Sequence, residues 1–101
     1  MLHLSGQVGV PPEGPTPADF RGQGRQAIRN VETILQAADM TLLDIVKMTF
    51  YLTRREDIDA LLDVQIALLD GVRRAVTTLL AAGLFSPDWF VEIDVVAATS
   101  P

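Results

Sequence analysis

DIVKMTFYLT, Asp44 to Thr53, decides the fold. Its apolar residues alternate, and side chains two apart on a strand share a face, so the segment reads as a strand. Val46, Met48, Phe50 and Leu52 make one apolar face. Ile45, Lys47, Thr49 and Tyr51 make a mixed opposite face. Upstream, Phe20, Ala27, Ile28, Val31, Ile34, Leu35 and Ala38 fall at helical spacing. That predicts a helix with Thr16 as N-cap, Pro17 at its first position and an end near Asp39. Downstream, Ile58, Leu61, Leu62, Gln65, Leu68 and Leu69 line one side of a second helix, from about Asp57 to Leu69, with Gly71 as its stop. On that periodicity Leu62 is expected in the core.

Three further segments read as strands. Leu2 to Val10, broken by Gly6 and Gly9, suggests a bent strand or a small hairpin arm. Ala75 to Ala82 and Trp89 to Ala97 alternate as strands do. In the last, Val91, Ile93, Val95 and Ala97 face one way, and Phe90, Glu92, Asp94 and Val96 the other. Strands interleaved with only two helices predict a two-layer α+β sandwich with both helices on one face of the sheet. The other face would carry Ile45, Tyr51, Phe90 and Val96 among polar groups. Such a face calls for a partner subunit.

The 101 residues, 49% of them apolar, suit a single domain over residues 1–101. Net charge is −5, from 8 basic and 13 acidic residues, and the basic ones are scattered. Phosphate backbones demand the opposite balance, so no nucleic-acid partner is expected. The chain has no Cys, which removes disulfides and thiolate catalysis. The lone His3 cannot build a cluster of metal-binding imidazoles, and no metal site is expected. No apolar run has membrane-spanning length, and the N-terminus lacks a signal-peptide pattern. The expectation is a soluble cytoplasmic protein without a membrane partner.

Several segments, in order, resemble the RidA/YjgF family of reactive intermediate deaminases. Ser5-Gly6-Gln7 is similar to its S-G-Q strand. Gln26–Ala27 to Asn30–Val31, leading to Leu35 and Ala38, resembles its Q-A-x-x-N-x-x-x-x-L-x-x-A helix. Asp44–Lys47 with Thr49 resembles D-V-V-K-x-T, and Val91–Ile93 resembles V-E-I. The resemblance implies a fold like trimeric chorismate mutase, a homotrimer, and small-molecule clefts between subunits. It also implies hydrolysis of enamine or imine intermediates to 2-keto acids and ammonia, without a cofactor. Its ligand would be a small carboxylate or imine metabolite. Ser5 and Gly6 would help bind substrate, and Glu92 would act on the water.

The family Arg, which grips the substrate carboxylate, lies in P-A-R-[ST], eight residues before a Leu. Counting back from Leu84 gives Val76, so the Arg is displaced, and a two-residue slip restores the role to Arg74. Weak turnover, or a non-deaminating member that only binds a small metabolite, follows from that displacement. Leu62 stands where the family often has Asn. The chain also starts near the S-G-Q strand, so the family's first strand is absent.

Overall fold

The computed structural model describes residues 1–99. Its elements run β1 (Leu2–Val8), α1 (Phe20–Ala37), β2 (Ile45–Leu52), α2 (Ile58–Leu69), β3 (Ala75–Leu80) and β4 (Val91–Ala97). The strands form one mixed sheet in the order β1-β4-β2-β3. β4 lies antiparallel to both β1 and β2, while β2 and β3 are parallel and joined through α2. Both helices cover one face, α1 against β1 and β4, and α2 beside α1. The predicted α+β two-layer sandwich is the observed one.

The register explains the core. Met48, Phe50 and Leu52 stand opposite Val95, Ile93 and Val91, and all six are buried under the helices. Ile28, Val31 and Leu35 of α1 close the same core, with Leu61, Val64 and Leu69 of α2. The alternate residues look to the uncovered face, where Tyr51 pairs with Glu92 and Thr49 with Asp94. α1 ends where expected, with Asp39 in the left-handed conformation at φ 57 and the Met40 N–H on the Leu35 carbonyl. Among the described residues, no helix is long and apolar enough to cross a membrane.

Four local expectations are corrected. A bulge in the β2–β4 pairing between Ile45 and Lys47 returns Ile45 to the helix side, opposite Ala97. Ile45 is therefore fully buried, and Val46 is 45% exposed instead of facing the core. Phe90 lies before β4 and packs against the core, beneath the Arg54 guanidinium at 3.9 Å, rather than on the open face. Leu62 is 52% exposed, because Leu61 and Val64 take the buried side of α2.

α1 also starts three residues later than Pro17. The reason is Gln23, a buried side chain with all its polar atoms bonded. Its amide nitrogen donates to the carbonyls of Pro17 and Asp88, and its oxygen accepts the Phe90 N–H. These bonds tie the pre-helix segment to the loop before β4. They also bring Gly9 so near that a side chain there would come within 2.6 Å of the Gln23 carbonyl oxygen.

Candidate functional site

The uncovered sheet face collects the polar chemistry. β1 bulges between Leu4 and Gln7, with Gly6 at φ 67, a conformation in which L side chains are strained. The bulge turns the Gly6 N–H toward β4, where it donates to Asp94 Oδ1 at 2.8 Å. The other Asp94 oxygen accepts from the Tyr51 hydroxyl at 3.1 Å. Asp94 thus joins three strands: β1 through Gly6, β2 through Tyr51, and its own β4.

Glu92 lies two residues away on the same face. A Cβ on Gly6 would sit 3.8 Å from Glu92 Oε1, so the glycine leaves open space beside the carboxylate. The Tyr51 phenol is held above its ordinary pKa, first by its hydrogen bond to Asp94, then by the Asp94 charge, by loss of solvent and by the Glu92 charge. A shallow cavity of about 310 Å³ covers part of this face, lined by His3, Ser5, Lys47, Thr49, Tyr51 and Asp94. Among the described residues, no three His, Asp or Glu side chains converge to hold a metal ion.

The fold brings Gly6 beside Glu92, with Ser5 lining the cavity on the same face, and separates them from Arg74 and Val76. Val76 stands opposite Met48, so it lies on the helix side of β3, where it is 42% exposed. Arg74 immediately precedes β3 and reaches the same side. Its Nη1 donates to the Val72 carbonyl at 2.9 Å and its Nη2 to Gln65 Oε1 at 2.7 Å. The Nε is buried with no partner, and desolvation lowers the guanidinium pKa. Glu92 is opposite Tyr51, and Tyr51 opposite Leu79, five residues beyond Arg74. Two strand spacings and five residue rises separate the Glu92 and Arg74 backbones by roughly 19 Å. Within one copy of the chain, Glu92 and Arg74 stand on opposite faces of the sheet.

Reading the sequence missed Asp94, Gln23 and the tie between Gln65 and Arg74. Asp94 had one legible signal, its place two residues from Glu92 on a strand. The Gly6 partner emerges only once β1 is laid against β4.

Known proteins share this fold. Residues 1–99 match the sequence model of the family described as endoribonuclease L-PSP. The 2-iminobutanoate/2-iminopropanoate deaminase of Escherichia coli K12 is 41% identical over 58 residues, which cover 56% of this chain and 45% of the relative. The matched stretch is thus about half the length of that curated relative. The crystal structure of E. coli TdcF with bound serine superposes with a TM-score of 0.90 at 31% identity, over 97% of this chain and 80% of that one. RidA from the Antarctic bacterium Psychrobacter sp. PAMC 21119 gives a TM-score of 0.90 at 31% identity, over 96% and 79% of the two chains. With its motifs, its sheet order and these likenesses in agreement, the chain belongs to the RidA/YjgF family.

Proposed function

We propose that the chain works as a homotrimer and hydrolyses enamine or imine intermediates to 2-keto acids and ammonia in clefts between subunits. The observation that carries this is the helix-free sheet face, where Gly6, Asp94 and Tyr51 are bonded together beside Glu92. A sheet face left open by both helices, with Tyr51, Val96 and Leu79 around an organised polar cluster, suits a subunit junction. The separation of Arg74 from Glu92 supports the same reading, since a second copy completes the pair.

The chemistry needs little more. An imine carbon next to a carboxylate is already electrophilic. Water adds its oxygen to that carbon of the protonated imine while Glu92 accepts a proton from the water, giving a tetrahedral carbinolamine. Glu92 returns that proton to the nitrogen, the C–N bond breaks with its electron pair leaving on ammonia, the hydroxyl proton passes back to Glu92 and on to solvent, and ammonia and the 2-keto acid leave. Arg74 grips the substrate carboxylate, because a guanidinium offers two parallel N–H donors to two oxygens. Ser5 and the Gly6 backbone border the reacting end. Val76 lines the approach without a charge, and with the arginine displaced from the family spacing, turnover is expected to be slow. No cofactor enters these steps.

A dehydratase that releases 2-iminobutanoate provides the test. The wild-type chain should accelerate 2-oxobutanoate release over buffer. Binding of 2-oxobutanoate without any acceleration would mark the chain as a non-deaminating binder of small carboxylates.

A further inference from the structure

We propose that Gln65 is the positioning residue of Arg74: its neutral oxygen aims the guanidinium while leaving its positive charge available to a substrate carboxylate. The inference rests on Arg74 as the carboxylate-binding group.

Arg74 differs from the other bonded arginines. Arg21 pairs with Asp63 at 2.7 Å, and Arg54 makes a two-point bond to Asp57 at 2.8 and 3.0 Å. Among the described residues, Arg74 has only two acceptors, the Val72 carbonyl and Gln65 Oε1, and both are uncharged. The chain has 13 acidic residues, and Asp70 lines the same groove, yet no carboxylate pairs with this guanidinium. A half-buried cation without a counter-charge is costly unless an anion joins it. One donor, Nε, stays buried and unpartnered. That buried Nε is out of a ligand's reach, but the guanidinium keeps its charge, and Nη1 and Nη2 each keep a second N–H beyond the bond they make.

Two anchors fix its orientation. Val72 contributes main chain from the short turn between α2 and β3. Gln65 contributes the sole side-chain tether, from the half-buried flank of α2 between Leu61 and Leu69. A glutamate would reach the same nitrogen and cancel the charge. A methionine would fill similar space and release the tether. The amide orients without neutralising.

The test uses the full chain with Gln65→Glu, Gln65→Met and Arg74→Ala. Calorimetry with 2-oxobutanoate gives affinity, the dehydratase-coupled assay gives apparent KM and kcat, and thermal melting monitors the fold. Gln65→Glu should weaken 2-oxobutanoate binding and raise apparent KM by about tenfold or more, the scale of one charge-assisted contact, with kcat changed less than about twofold. Gln65→Met should shift the same two quantities in the same direction by a smaller factor. A merely structural role would lower the melting temperature and leave affinity unchanged. Wild-type affinity in both Gln65 variants, with Arg74→Ala impaired, would overturn the positioning role alone. Wild-type affinity in Arg74→Ala would overturn the carboxylate-binding assignment and this inference with it.

Discussion

The Gly6 amide donates to Asp94 Oδ1 at 2.8 Å, across 88 residues of sequence, and this bond sets the β1 bulge against β4. The same carboxylate takes the Tyr51 hydroxyl, so one side chain braces the floor on which Glu92 stands.

Asp94→Ala should therefore cost more than an ordinary surface change. It leaves the Gly6 N–H and the Tyr51 hydroxyl without their acceptor, worth about 1–2 kcal/mol of stability. Asp94→Asn keeps an oxygen for Gly6 and should lose about half as much. Urea unfolding of the two variants checks the order. Equal stability of Asp94→Ala and wild type would show that the bond does not hold the bulge.

Tyr51 is the only tyrosine, so phenolate absorbance reports it alone. Its folded-state pKa is raised above the ordinary 10.0, chiefly by the Asp94 hydrogen bond. A raised pKa means the folded state binds the proton more tightly. The resulting stability is full below the unfolded tyrosine value and is lost as pH rises through the folded one. Titration should give a midpoint above 10.0, and Asp94→Asn should bring it back down. A wild-type midpoint at the ordinary value would contradict the bond.

The open face should be the assembly face. Thr49 and Leu79 lie on it, by their pairing with Asp94 and Tyr51. Thr49→Asp and Leu79→Asp should shift sedimentation from about three chain masses toward one at low micromolar concentration, since desolvated carboxylates oppose an apolar junction. Leu43→Asp, at a position 72% exposed and outside the sheet, should leave assembly unchanged. Assembly that survives both sheet substitutions would mean that a different face associates.

Strand alternation made most of the fold legible. Met48, Phe50 and Leu52, and then Val91, Ile93 and Val95, announced their faces because a two-residue period leaves no choice once one side is buried. The ends at Asp39 and Gly71 were legible because both adopt positive φ, which few residues tolerate. The bulge at Ile45 and Val46 was not, since an apolar pair gives no sign of which residue turns inward. Helical period misplaced Leu62 because α2 is apolar on more than one side, and the exposed side includes Ile66. Ser5, Gly6 and Glu92 came from motif resemblance, and the fold sets Gly6 beside Glu92. The ambiguity between Arg74 and Val76 has a physical cause. β3 ends at Leu80, so counting back from Leu84 measures loop as well as strand. The bond to Gln65 was beyond sequence, because it depends on how the α2–β3 turn folds back.

The central claim is tested most directly by 2-oxobutanoate release from dehydratase-generated 2-iminobutanoate, with wild type, Glu92→Gln and Arg74→Ala compared at equal chain concentration and matched oligomeric state. Wild type should exceed the buffer rate. Glu92→Gln should lower turnover with little change in 2-oxobutanoate affinity. Arg74→Ala should lose affinity and on the order of a hundredfold in rate, as removal of a charged two-point contact costs about 2–4 kcal/mol. A wild-type rate equal to buffer, or full activity in Arg74→Ala, would contradict the account.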